Sequence, residues 1–147
     1  MSTPPLPIVA VTDETAVRNC YGLMQQLRPQ LTDADEWVAK WQCQRDEGYR
    51  LLARYDGATP VALAGYRVQH NLVHGRFLYV DDLVTDSARR SGGHGAALLD
   101  RLKREAVTLG CGKLVLDTPL SNALGQRFYF RQGMLSSALR FNLPLTA

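Results

Sequence analysis

Residues Val80-Asp81-Asp82-Leu83-Val84-Thr85 lead into Arg90-Ser91-Gly92-Gly93-His94-Gly95-Ala96, and this junction constrains the fold more than any other segment. The first part is an apolar run with paired carboxylates and reads as a strand. The glycines break it, and Ala97-Leu98-Leu99-Asp100-Arg101-Leu102 resumes as helix. A glycine-rich turn that opens a helix is an anion site. The first amide N–H groups of the helix have no partner inside it, and the helix dipole favours negative charge there. The chain is therefore expected to hold a phosphorylated ligand at this turn.

The rest of the pattern fixes the surroundings. Ile8 to Thr12 is a short β-prone run, and Thr12 or Asp13 can cap a helix carrying Val17, Tyr21, Met24 and Leu27 up to Pro29. A second helix starts near Thr32-Asp33, places Trp37 and Trp41 one turn apart as core residues, and closes at Gly48. Tyr49–Tyr55, Val61–Val68 and Arg76–Val84 follow as strands, joined at Asp56-Gly57 and at the His70–Gly75 turn, which makes an antiparallel meander. Gly93–Leu109 is helical with Leu98, Leu102, Ala106 and Leu109 on one face. Lys113–Asp117 is a strand too apolar to be exposed, parallel to the strand before the turn. Asn122 caps a helix that runs to Gln132 and stops at Gly133, and Ala138–Leu143 is a final strand. The expected fold class is α/β (α+β mixed): one domain over residues 1–147, with a mixed, mostly antiparallel sheet and helices on both faces.

Composition excludes several functions. The 147 residues suffice for one sizeable core. The net charge of +3 is dispersed, with no basic stripe for nucleic acid. Cys20, Cys43 and Cys111 are odd in number and lack a CxxC, so they read as buried free thiols of a reducing compartment. His70 and His74 are too sparse for a metal site. No apolar run is long enough for a membrane span, and Met1–Pro7 does not read as a secretory signal, so a cytoplasmic protein is expected.

Arg90 to Gly95 fits R-x-x-G-x-G. No G-x-x-x-x-G-K-[ST] exists, and no third glycine completes a dinucleotide fingerprint. Downstream, Tyr129 follows Asn122 by seven positions, about two helical turns, so the two side chains lie near one helix face. Each also has a plain reading, Asn122 as a cap and Tyr129 as a core aromatic. Taken together, the Val80–Ala96 segment and the Asn122–Met134 helix resemble motifs A and B of the GNAT superfamily of acyl-CoA N-acyltransferases, specifically from about Arg76 to Leu145.

The resemblance implies acetyl-CoA, or another acyl-CoA, as co-substrate in a cleft between two central, parallel, splayed strands ending at Val84 and Asp117. By residue, it implies that the main chain of Leu83, Val84 and Thr85 and the side chain of Asn122 hold the pantetheine arm. Arg90, Ser91, Gly92, Gly93, His94, Gly95 and Ala96 hold the pyrophosphate, and no metal takes part. Gly92 replaces the loop's usual basic residue. Tyr129 is the implied general acid. Asp81 and Asp117 are equal candidates for the base, beside Asp82, which alternation puts on the face opposite Asp81. His94 reads as a loop side chain facing solvent.

The implied activity is transfer of an acetyl group to a small-molecule or peptide amine; the alternative is a non-catalytic acyl-CoA-binding sensor or partner protein. The acceptor pocket is expected between Tyr21–Trp41 and the His70–His74 turn, where Asp33, Asp35 and Glu36 can attract a cation or simply suit a helix start. A homodimer through the final strand, as in relatives, is open.

Overall fold

The computed structural model describes residues 4–146. The chain divides into two compact units, one running through Val115 and one from Leu116 onward. The first contains β1 (Ile8–Val11), α1 (Glu14–Asn19), α2 (Tyr21–Leu27), α3 (Ala34–Asp46), β2 (Arg50–Asp56), β3 (Thr59–Asn71), β4 (Gly75–Thr85), a single 3-10 turn at Ser87–Arg89 and α4 (His94–Thr108). β5 (Lys113–Leu116) carries the boundary between its last two residues, and α5 (Ala123–Arg131) belongs to the second.

The caps expected from sequence form. The Asp13 carboxylate accepts from the Ala16 amide at 2.8 Å, and the Asp33 carboxylate accepts from the Glu36 amide at 2.8 Å. Each satisfies an amide that the helix itself cannot. The five strands lie in the order β1-β2-β3-β4-β5, with β5 parallel to β4 and the other neighbours antiparallel.

Alternation along β2 assigns the two faces. Leu51 and Ala53 join Val17, Cys20, Met24, Trp37, Val38 and Trp41 in the core under α1–α3. The Trp37 indole N–H is satisfied there by the Val17 carbonyl at 2.8 Å. Arg54, in the opposite phase, bonds His94 at the start of α4. α4 buries Leu98, Leu99 and Leu102 completely on this second face. Each such leucine contributes about 1.5–3 kcal/mol by leaving water.

Several expectations change. The three cysteines are not alike: Cys20 is buried, Cys111 is half-buried and Cys43 is exposed. No strand forms over Ala138–Leu143, so the parallel pair lies at the end of the strand order rather than inside it. The segment has the right alternation, yet Leu139, Phe141 and Leu143 are 68%, 89% and 79% exposed. An apolar period of two needs a ladder partner and a covered face, and among the described residues this segment has neither. β5 likewise has no fully buried residue, against the expectation of a wholly covered strand.

Candidate active site

The turn before α4 is built from left-handed backbone. Ser91 and Gly93 have φ of 76° and 73°, and Gly93 is the helix N-cap without a side chain to close the first amides. The segment leading in is tied to its surroundings. Asp86 accepts from the Ala88 amide and from the Gln26 side chain, both at 3.2 Å, and the Ser87 amide donates to Gln26 at 2.9 Å. Arg89 pairs with Asp56. Arg90, Ser91, Gly92 and Gly93 are exposed, while Gly95 and Ala96 are half-buried.

His94 does not face solvent, as the sequence suggested; it is 9% exposed. Its Nδ1 lies 3.0 Å from Nη1 of Arg54. A guanidinium only donates, so Nδ1 accepts and the imidazole proton sits on Nε2. The ring occupies the space beside Gly92, where a Cβ would come within 2.7 Å of Nε2. The missing basic side chain at Gly92 is thus the room that His94 needs.

Arg54 is 8% exposed, and its Nε has no hydrogen-bond partner. Burial, then the charges of Arg54 and Arg89, push His94 below the ordinary imidazole range, with Asp56 opposing. The turn is therefore backed by a buried cation and a neutral histidine, with no carboxylate bonded to either among the described residues.

A second cluster lies on β4. Gly65 pairs with Asp82 and Tyr66 with Val80, so Asp81 is the extra residue of a β-bulge. The bulge breaks the alternation on which the expectation of opposite faces rested, and both carboxylates enter one charge network. Asp81 accepts from Arg67 Nε at 3.0 Å. Asp82 accepts from Arg28 Nε at 2.9 Å and from the Tyr49 hydroxyl at 2.8 Å. Arg28 also donates to the Asp81 carbonyl at 2.8 Å. Burial raises the Asp81 carboxyl above its ordinary range against the pull of Arg67. The Tyr49 hydroxyl is pushed well up, first by burial and then by Asp82.

Sequence reasoning overlooked Tyr49, Arg28 and Arg67. The signal that could have found them is Gly65, a glycine inside an apolar strand: a Cβ there would overlap the Tyr49 hydroxyl. Leu83, Val84 and Thr85 continue β4 past the bulge, half-buried and paired with Ala64, Leu63 and Ala62 respectively.

A cavity of about 170 Å³ opens beside this cluster, lined by residues of α2, α3 and the loop between them, with Asp82. It uses the helices expected for an acceptor pocket but not the His70–His74 turn. His74 lies instead 3.1 Å from Lys113 and edge-on to Phe77. The acidic residues near the start of α3 are engaged locally: Asp33 as the cap, Asp35 with Arg18 at 2.8 Å, and Glu36 with Thr32 at 2.9 Å.

In the second unit Asn122 caps α5. Its carbonyl oxygen accepts from the Gly125 amide and its amide donates to Thr118, both at 3.0 Å. A Cβ at Gly125 would overlap the Asn122 amide, so the glycine makes this cap possible. Tyr129 is half-buried, packs edge-on to Phe128, and its hydroxyl makes no hydrogen bond among the described residues. Burial raises its pKa, so the phenol keeps its proton through the neutral range. Asp117 is exposed and pairs with Arg140 at 2.6 Å. No group of three metal-ligating side chains occurs among the described residues, and no helix of theirs is long and apolar enough to cross a membrane.

The strand–bulge–turn–helix arrangement and the order of elements define an acetyltransferase-type fold. The sequence pattern of the Acetyltransferase (GNAT) family matches residues 17–134, and the chain belongs to that family. Over 127 residues it is 31% identical to the uncharacterized N-acetyltransferase YhdJ of Bacillus subtilis (strain 168), covering 85% of this chain and 89% of that protein. Two solved structures share the fold. The aminoglycoside N-acetyltransferase AAC(6')-Iy in complex with CoA matches with a TM-score of 0.81 at 16% identity, over 99% of this chain and 100% of that one. Glucosamine-6-phosphate N-acetyltransferase from Arabidopsis thaliana matches with a TM-score of 0.76 at 18% identity, over 97% and 100%.

Proposed function

We propose that the protein transfers an acetyl group from acetyl-CoA to a primary amine by direct attack. The observation that carries this is the left-handed turn opening α4, backed by a buried Arg54 whose Nε has no partner. A buried cation without an anion is costly unless a ligand supplies one. A diphosphate at the turn meets both the free amides and this charge. Ser91 to Ala96 would hold it through main-chain N–H groups, with Arg90 at the rim. Leu83, Val84 and Thr85 would bond the amide-bearing arm along β4, and Asn122 has one amide hydrogen beyond its cap for the same arm.

Bound acetyl-CoA supplies the thioester. Asp82 lines the cavity and holds the incoming ammonium. Asp81 takes one proton from the ammonium, which frees the nitrogen lone pair; burial has raised its affinity for that proton. The nitrogen then bonds the acetyl carbon and passes its second proton to water. Tyr129 gives a proton to the sulfur as the carbon–sulfur bond breaks. Proton exchange with water then resets both groups. Asp117 plays no part in this scheme.

The test is amine-dependent release of free thiol from acetyl-CoA. Tyr129→Phe lowers kcat about a hundred-fold, the lower end of general acid catalysis, with the Kd for CoA within a few-fold. Asp117→Asn changes kcat no more than a few-fold. CoA binding without thiol release from any amine would instead make the protein an acyl-CoA sensor.

A further inference from the structure

The cavity beside β4 has a charge pattern that selects among amines. Its wall carries two cations, Arg28 and Lys40, two amides, Gln30 and Gln44, and one carboxylate, Asp82. Arg28 spends Nε and Nη2 on Asp82 and on the Asp81 carbonyl, and its Nη1 makes no bond among the described residues. Gln44 gives its carbonyl oxygen to Arg67 at 3.2 Å, which leaves its NH₂ group as a donor. Lys40 has one anionic neighbour, Glu36, at 3.7 Å on the same helix. That pair is long and its lysine is exposed, the kind that contributes little and yields readily to a better partner. One carboxylate can take one ammonium. The surplus of donors and positive charge then calls for an anion on the same molecule.

We infer that the acceptor is a small primary amine that carries its own anionic group, a carboxylate or a phosphate, with the amine at Asp82 and the anion at Lys40 and Arg28. This rests on the acetyl-transfer reading. Size agrees: about 170 Å³ lies below the roughly 300–1,000 Å³ typical of sites for drug-sized ligands. A polyamine would set further ammonium groups against two cations and leave the donors of Gln44 and Arg28 unmatched.

The experiment uses matched amines with the whole protein and acetyl-CoA: β-alanine against propylamine, phosphoethanolamine against ethanolamine, and putrescine as the cationic case. Thiol release gives kcat/KM, and calorimetry gives binding of each amine without chemistry. At least one anionic amine is expected to exceed its matched neutral partner and putrescine by ten-fold or more in kcat/KM. Which of the two does so separates carboxylate from phosphate. Lys40→Ala brings that ratio near one through KM, and Lys40→Arg restores it.

Turnover with no preference, or with putrescine favoured, overturns the inference while acetyl transfer stands. Calorimetric preference for an anionic amine, lost in Lys40→Ala, with no thiol release, upholds an anionic amine as the ligand of this cavity and overturns acetyl transfer. Absence of both binding and turnover with every amine in the panel overturns both.

Discussion

Two clusters of arginine in the first unit handle charge in opposite ways. On β4, Arg28 and Arg67 each pair with a carboxylate, Asp82 and Asp81, at 2.8 Å and 3.0 Å. Under the turn before α4, Arg54 bonds only His94 among the described residues, and its Nε has no hydrogen-bond partner among them. Arg54, Arg67 and the two aspartates lie largely out of water, where an unmatched charge costs several kcal/mol, while the Arg28 side chain is 41% exposed. The β4 cluster is matched within the protein and can hold a proton at a chosen carboxylate. The α4 cluster is unmatched and becomes favourable when an anion arrives. The first arrangement suits proton transfer and the second suits phosphate binding.

Removing the proton-handling group breaks the comparison on the β4 side with the largest effect. Asp81→Asn is expected to lower kcat by about a hundred-fold or more, within the range for general base catalysis, and to leave the Kd for CoA unchanged. The pH profile checks it. Protonated Asp81 cannot accept a proton, and its pKa is raised above the ordinary carboxylate range. The acid limb of the wild-type kcat profile therefore falls at higher pH than an unperturbed aspartate would give, and Asp81→Asn removes that limb. An unchanged profile would assign the role to water.

On the α4 side, Arg54→Met is expected to do two things at once. It removes a charged donor from the anion site, and hydrogen bonds to charged groups contribute about 1.5–3 kcal/mol. The Kd for CoA should rise roughly ten- to hundred-fold. It also replaces a buried cation that lacks a carboxylate with an apolar chain, which is often neutral or stabilising. The melting temperature without ligand should hold or increase. The matched pair predicts the reverse: Arg28→Met leaves Asp82 with one donor fewer in a low-dielectric site, so stability falls while CoA affinity holds. A drop in stability for Arg54→Met would remove the distinction between the clusters.

The α4 side was legible in sequence because glycine and helix-start signals act over a few residues. Gly93 opens α4 and Asn122 caps α5, as their local signals indicate. The meander was legible for the same reason, since Asp56-Gly57 and the alternating apolar residues are local. The β4 cluster was not. A bulge at Asp81 depends on how β3 lies against β4, and the Tyr49 hydroxyl that bonds Asp82 beside Gly65 comes from sixteen residues before that glycine. His94 was misjudged because its burial depends on Arg54, forty residues upstream. The Ala138–Leu143 segment shows the converse. Its alternation is clearer than that of β2, but pattern alone does not supply a partner.

The smallest expected effect is a pH dependence at His94, and it sharpens what sets the α4 cluster apart. Its pKa is lowered in the folded protein by burial and by Arg54, relative to an ordinary imidazole in the unfolded chain. As pH falls below the unfolded value, the unfolded chain takes up the proton first. Stability that is fully present above the ordinary imidazole pKa of about 6.5 is therefore lost as pH falls toward the folded pKa. An anion at the turn opposes this, because it favours the protonated ring and raises its pKa again. Acidification from pH 7 to 5 should lower the melting temperature of the free protein more than that of the CoA complex, and CoA should bind with net proton uptake. His94→Asn keeps an acceptor for Arg54 while removing the titration, so the two melting curves should then shift in parallel. The same variant vacates the space beside Gly92. Gly92→Ala, which sets a Cβ 2.7 Å from the histidine Nε2, should destabilise the wild type and cost less in His94→Asn. Equal penalties in both backgrounds would mean that Gly92 serves the turn's backbone rather than the ring.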